Sequence, residues 1–333
     1  MIPRLDIRFP LKRQWQYWFG KQYEPQEGEY LLNHARTGIV LAICASLPDG
    51  GRVGVVAYNC HTVANAVVNA GCTPIFVDVT DELKIDVASV PADLDAIVVT
   101  NLFGIRNDVE AIRKRIPKAI IIVDNAHGYG LPAEGDFTVY SINQGKFPAL
   151  GEGGILMVNG DWSIVKEQYA ALPSYGFIAQ VKLFVQMMVK AIAYSRCMYW
   201  LTMKMKKSSN PKVHQSVVMK QMAPGVRRLY QGWLPTAAAE IAKQKRNAEA
   251  ISNLQFPISN LKYLIGDNAF MLIAKTKDPA ALQVWFANRG IETATHFSRC
   301  IDWAEQFGYK RGSCPKAEEL TNHLLMIPTY RAI

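Results

Sequence analysis

The sequence predicts an α/β fold: a mostly parallel, buried sheet followed by a smaller α+β lobe. Three observations carry that expectation. Short apolar runs of about five residues recur through the first half and alternate with helical segments, the pattern of strands covered on both faces. The composition, 50% hydrophobic and 20% charged over 333 residues, supplies enough apolar material for two lobes and shows no low-complexity tract or repeat. After Pro235 the pattern changes to a long connecting helix, a strand and another helix.

Taken in order, residues 1–28 read as an irregular, aromatic-rich lead-in without a continuous apolar run, so they are not expected to be a secretory signal. Residues 30–47 (YLLNHARTGIVLAICASL) read as a turn entering a buried helix, with Thr37 and Gly38 at its start. Residues 53–57 (VGVVA) form the next expected strand, followed by a loop with Tyr58, Asn59, Cys60 and His61 and a helix over 64–70. Further strands are expected at 74–78, 95–100, 119–124, 137–141 and 154–158, with a charged helix around 108–115. A helix over TAAAEIAKQKRNAEAISNL, a strand at 270–276 and a helix ending at a glycine cap define the second lobe from about residue 240. The organisation expected is thus a lead-in (1–28), a large domain (29–239) and a small domain (240–333).

Charge and cysteines narrow the function. The net charge is +9, and between Gln168 and Ala239 there is no acidic residue but ten lysines and arginines. Such a segment points to an anionic partner. Within it, residues 177–228 form a methionine-rich helical stretch whose polar stripe is Lys182, Gln186 and Lys190. Its charges argue against a transmembrane span. Three readings stay open: a helix packed between subunits or lobes, an interfacial helix on acidic membrane, and a basic rim for an anionic substrate. Nucleic acid is not an expected partner, because no recognisable module accompanies the charge. The six cysteines show no CxxC pair, which fits a reducing, cytoplasmic compartment, and no metal is expected.

The chemistry concentrates in residues 121–154, IIVDNAHGYGLPAEGDFTVYSINQGKFPALGEGG. Asp124 ends one strand, Ser141 ends the next, and Lys146 follows on a loop. Ligands in parallel sheets lie at the carboxyl ends of the strands. An acid and a lysine on neighbouring loops there suit pyridoxal 5′-phosphate (PLP): the lysine holds the aldehyde as a Schiff base and the acid keeps the ring nitrogen protonated. Each residue also has a plainer reading. Lys146 is a solvated lysine, Asp124 or Thr37 a helix cap, Ser141 a turn former and His127 a structural histidine.

The ordered set resembles the DegT/StrS-type sugar aminotransferases, PLP enzymes of fold type I, over most of the chain from about Asn33. It is carried by Asp124-Asn125-Ala126-His127, by Gly135-Asp136, by Ser141 five residues before Lys146, and by Gly151-Glu152-Gly153-Gly154. The resemblance implies that Lys146 carries the Schiff base and shuttles a proton to the substrate, Asp124 pairs with the pyridinium nitrogen, and His127 lies beside the ring. It also implies that Ser141 binds phosphate, with Thr37 and the Gly38 amide meeting phosphate at a helix start. It implies a seven-stranded-type sheet and a homodimer with the site at the interface.

The chain departs from that family in three places. The position of the usual stacking aromatic is Cys60, flanked by Tyr58 and His61. Residues 227–232 hold no equivalent of the family's asparagine that reaches the partner's phosphate. The N-terminus is shorter. The expected activity is transfer of an amino group from an amino acid, glutamate above all, to a keto group on an anionic, nucleotide-linked sugar for glycan biosynthesis. The alternatives are a lipid-linked or other amphiphilic ketone at a membrane surface, a PLP-dependent dehydratase (related sugar dehydratases tend to carry histidine in place of the lysine), and a non-catalytic protein on the same fold.

Overall fold

A computed structural model describes the chain except residues 1, 2, 4–6, 8, 196, 197, 200, 203–211, 257, 259, 296, 332 and 333. Its centre is a seven-stranded sheet. In chain order the strands are β1 (Glu29–Leu32), β2 (Arg52–Val56), β3 (Thr73–Val77), β4 (Ala96–Thr100), β5 (Ile120–Asn125), β6 (Phe137–Ser141) and β7 (Gly154–Val158). Their spatial order is β1-β7-β6-β5-β4-β2-β3. Strands β3, β2, β4, β5 and β6 run parallel, β7 runs antiparallel beside β6, and β1 pairs antiparallel with β7 at the edge. Every residue of β4 is buried, as are five of the six in β5, which is why these strands read as unbroken apolar runs.

Helices cover both faces. On one side α2 (Ala35–Ser46) lies across β6 and β7 with Ile39, Val40, Leu41 and Ile43 buried. Gly38 makes that approach close: a Cβ there would sit 2.8 Å from Val139 Cγ1 and 3.3 Å from Leu156 Cβ. Next come α3 (His61–Asn69) after β2 and α4 (Val109–Arg115), whose N-cap Asp108 accepts a 2.9 Å hydrogen bond from the Ala111 amide. A second, three-stranded antiparallel sheet lies between residues 262 and 328. It is preceded by the long helix Ala237–Ser252, and Gly290, at φ +71, ends the helix Pro279–Ala287.

Two expectations for the N-terminal region are corrected. The lead-in is not irregular: Leu11–Phe19 forms a helix, α1, whose Tyr17 is fully buried and donates its hydroxyl to the Gln180 carbonyl at 2.9 Å. Gly225 and Gly232 of the helix Pro224–Trp233 let it seat, since a Cβ at either would collide with Tyr17 or Gln16. Residues 30–32, read as part of a turn, belong to the edge strand β1, paired with β7 from Glu29↔Met157 to Leu32↔Gly154.

The basic stretch supplies α6 (Phe177–Ala193), after α5 (Ser163–Ala170). Leu183 and Met187 face inward, and Phe184 packs on Tyr17 of α1 at 5.3 Å between centroids. The stripe Lys182, Gln186 and Lys190 is exposed as expected, but so are Ile178, Val185, Val189 and Ile192. Arg196, Cys197, Lys204, Lys206 and Lys207 lie outside the described residues. Among the described residues no helix is long and apolar enough to cross a membrane.

Candidate active site

The carboxyl ends of β2, β4, β5 and β6 and the first turn of α2 enclose a cavity of about 190 Å³. Asn59 and Cys60 enter from β2, Thr100 from β4, Asp124, Ala126 and His127 from β5, and Ser141, Asn143 and Lys146 from β6. The opposite wall is His34, Ala35, Arg36 and Ile39.

Asp124 is buried at the end of β5 and accepts a 2.9 Å hydrogen bond from the Ala126 amide. Thr100 donates to its other oxygen at 3.4 Å and in turn accepts from the Asn59 amide group at 2.9 Å. Burial pushes this carboxyl above its ordinary range, against the Ala126 amide, the charge of Lys146 and the Thr100 hydroxyl, which all pull it down. A carboxylate with so few donors fits a cation placed against it.

His127 is held in one tautomer. Its Nδ1 accepts from the Phe103 amide at 3.2 Å, so in the neutral ring the proton resides on Nε2. That Nε2 lies 2.6 Å from Lys146 Nζ. An Nε2–H can bond to the lysine only if the amine offers a lone pair. The geometry therefore suits a neutral Lys146, and burial lowers the lysine in the same direction, opposed by Cys60 and Asp124. The His127 ring lies nearly parallel to Phe103 (5.2 Å, 17°) and to Phe270 (5.4 Å, 30°). The side chain of Asn268 donates to the carbonyls of His127 and Tyr129 at 2.9 and 3.2 Å, tying this turn to the C-terminal lobe.

Cys60 occupies the N-cap position of α3, without a side-chain cap bond, and lines the cavity. Burial pushes its thiol up, but a hydrogen bond with His61, the charge of Lys146 and bonds with Thr62 outweigh it and bring it to about 7. Tyr58 and His61 do not line the cavity. Tyr58 is fully buried against Phe297, and His61 packs on Trp303.

The structure separates Thr37 and Gly38 from the cavity, correcting their expected contact with phosphate. Thr37 is fully buried and donates to Asn33 Oδ1 at 2.8 Å, and Asn33 holds the Val218 carbonyl at 2.7 Å. Gly38 is spent on packing against the sheet. The α2 residues on the cavity are instead Ala35, Arg36 and Ile39. The helix starts there because Gly154 of β7 has no side chain: a Cβ would collide with the backbone of His34 and Ala35. Its N-cap, His34, makes no side-chain cap; the Thr37 amide bonds to the His34 carbonyl at 3.1 Å, which leaves the amides of Ala35 and Arg36 as the open donors of the first turn. Ser141, buried at the end of β6, lines the same cavity.

Sequence reasoning missed Thr100, Asn143 and Phe297, and named Asn59 only as a loop neighbour of Cys60. Phe297 reaches the cavity from the C-terminal half at φ +60, a backbone region that a bulky residue rarely adopts. An asparagine network beneath the site, Asn101 to Asn125 at 2.7 Å and Asn107 to Asn101 at 3.0 Å, was visible only as scattered asparagines after strands. The donor set matches PLP: a buried acid for a ring nitrogen, a lysine amine poised by His127, and an uncapped helix start with a serine for a phosphate. Among the described residues no group of three or more His, Cys, Asp or Glu could hold a metal ion.

Residues 33–210 match the profile of the DegT/DnrJ/EryC1/StrS aminotransferase family. A search of curated proteins returned no match. Among solved structures, sugar aminotransferase CalS13 from Micromonospora echinospora superposes with a TM-score of 0.70 at 16% identity, over 99% of this chain and 95% of that one. Spr1654 from Streptococcus pneumoniae in its PMP form gives 0.69 at 16% identity, over 96% and 85%. DesI, solved in the presence of its TDP-sugar product, gives 0.68 at 17% identity, over 90% and 75%. At these identities the likeness establishes the fold, the α/β architecture of PLP fold type I aminotransferases.

Proposed function

This chain belongs to the DegT/DnrJ/EryC1/StrS aminotransferase family of PLP-dependent enzymes, and from that premise we propose that it moves an amino group from glutamate to a keto group on a nucleotide-linked sugar. One observation carries the reading. A buried carboxylate, a lysine amine beside a histidine of fixed tautomer, and an uncapped helix start converge on one cavity. Both Lys146 and Asp124 are present, which argues against a non-catalytic protein or a dehydratase on this fold.

When bound, PLP supplies an electron sink that makes the hydrogen on an amino-bearing carbon acidic. The protein residues do the rest. Asp124 holds a negative charge against the ring nitrogen and so keeps it protonated. Ser141 and the first-turn amides of α2 hold the phosphate. Lys146, whose charged form burial disfavours, takes the proton from the donor's amino-bearing carbon and returns one on the other side of the transfer. His127 keeps the amine oriented through Nε2, while the Phe103 amide fixes the ring that does so.

The acceptor reading draws on the sugar named for CalS13 and the TDP-sugar product named with DesI. An anionic diphosphate also suits a chain carrying ten basic and no acidic residues between Gln168 and Ala239. As the expected homodimer, the protein would present such charge from two chains. The test is to supply glutamate and a panel of nucleotide-linked keto-sugars, then measure 2-oxoglutarate and the mass of the sugar product. Conversion of a keto-sugar to its amine supports the proposal. Formation of 2-oxoglutarate with amination of no sugar in the panel would place the acceptor elsewhere.

A second reading has its own observation. Ile178, Val185, Val189 and Ile192 are exposed along α6 beside Lys182 and Lys190. Apolar side chains flanked by lysines fit an anionic bilayer. A second copy of the same face would set like charges against each other. In that reading the acceptor is a lipid-linked or otherwise amphiphilic ketone.

A further inference from the structure

Arg36 is the group in the cavity that the reading above leaves without a task. It stands in the first turn of α2, lines the cavity, and is half-buried. Among the described residues no carboxylate lies within 4.0 Å of its guanidinium and no side chain or carbonyl accepts a hydrogen bond from it. Glu152, the carboxylate whose charge acts on Arg36, is engaged elsewhere: Tyr175 donates to it at 2.5 Å and His34 Nε2 lies 3.5 Å away. Burial lowers the guanidinium, Cys60 and Glu152 raise it, and the balance is downward. Removing an arginine from water without pairing it is costly, so such residues are found paired or held ready for an anion.

We propose that Arg36 is the phosphate anchor of this site, donating to the phosphate of PLP alongside the first-turn amides of α2 and the Ser141 hydroxyl. The inference rests on the PLP reading. It assigns Arg36 the part that the resemblance implies for Thr37, whose side chain the fold has turned into the core. The three donors come from two elements. The helix start and its own arginine lie on one wall, and the end of β6 supplies Ser141 on the other. A guanidinium is suited to this task because its planar fork of N–H groups matches two phosphate oxygens, and because it stays charged where a lysine would lose its proton. The neighbouring His34 does not compete. Burial and the charge of Arg36 lower it to about 3, so it is neutral, with Asn143 3.2 Å from Nδ1.

The test compares two ligands that differ only in the phosphate. Affinities of the cofactor-free protein for PLP and for pyridoxal are measured by quenching of tryptophan fluorescence, in the wild type and in Arg36→Ala, Arg36→Gln and Arg36→Lys. The proposal expects Arg36→Ala and Arg36→Gln to weaken PLP by about 10- to 100-fold, the size of a charge-assisted hydrogen bond, with pyridoxal affinity unchanged. Arg36→Lys should recover part of the loss, and the neutral variants should show a shallower dependence of PLP affinity on salt. Equal weakening of both ligands would overturn it by showing a general effect on the fold. So would unchanged PLP affinity with a raised KM for glutamate, which would put the guanidinium on the donor carboxylate instead. If Arg36→Ala loses its circular dichroism signal, Arg36→Gln, of similar length, is read by the same criteria. A wild type that binds neither ligand would remove the PLP reading itself, an outcome distinct from failure of the Arg36 assignment.

Discussion

Cys60 stands on the cavity wall where the family pattern places an aromatic ring, and its surroundings make it the reactive thiol of the described chain. Its thiol is brought to about 7, whereas burial raises Cys44, Cys72, Cys300 and Cys314. The thiolate is the nucleophile, so alkylation of Cys60 by iodoacetamide should rise through pH 7 and level off above it. PLP should suppress the reaction, because the two share the cavity. Peptide mapping across pH 5–9 measures both effects. A Cys60 profile that begins to rise only near pH 9, or that PLP leaves unchanged, would contradict this placement. The expected site residues that share the cavity, Asp124, His127, Ser141, Lys146 and Cys60, have a simple property in common: each lies at or just past the end of a strand, where parallel sheets put ligands. Thr100 and Asn59 also lie at strand ends, but their link to Asp124, Asn59 to Thr100 and Thr100 to Asp124, spans 24 or more positions of sequence and nothing local announces it. Thr37 was misplaced because the starting point of α2 depends on which strand residues its backbone can touch.

That starting point is a property of elements. The β7 residue Gly154 brings the His34–Ala35 backbone directly onto the sheet, and Gly38 brings the next turn down against β6 and β7. Gly154→Ala leaves no room for its new methyl group except by lifting the start of α2. It should destabilise the protein by about 1–3 kcal/mol, the usual cost of overpacking. It should also weaken PLP, since the displaced turn carries the amides of Ala35 and Arg36. Denaturant unfolding and PLP titration read the two effects, and a variant with wild-type stability and wild-type PLP affinity would show that this contact does not set the helix. The strands were legible because buried parallel strands are written as apolar runs, and β4 through β7 match the expected positions to within a residue or two. Strand β1 escaped because its four residues run straight into the turn before α2 and were absorbed into it. Helix α1 escaped because its place is set by two glycines more than 200 residues away, Gly225 and Gly232.

At the scale of the whole molecule, α1 and α6 lie side by side through the ring contacts Tyr17–Phe184 and Trp18–Phe177, at 5.3 and 6.1 Å. Leu11, Trp15 and Phe19 are exposed on α1, as Phe177, Ile178, Val185, Val189 and Ile192 are on α6. The membrane reading expects co-sedimentation with phosphatidylglycerol-rich vesicles at low salt and release at high salt. It expects Lys182→Glu combined with Lys190→Glu to weaken binding, each charge near the surface contributing about 1 kcal/mol. No sedimentation at low salt would remove it and leave the exposed face for a protein partner. Composition located this segment through its missing acids, but it could not tell an inward from an outward apolar stripe, because both carry the same residues.

The central claim is that Lys146 and Asp124 hold PLP in the cavity at the carboxyl ends of the strands. Its most direct test is to load the protein with PLP, treat it with borohydride and map the modified peptide. The account predicts a phosphopyridoxyl group on Lys146, its loss in Lys146→Ala, and its absence when glutamate is added before the borohydride. A modification on a lysine other than Lys146, or none on any lysine, would contradict it.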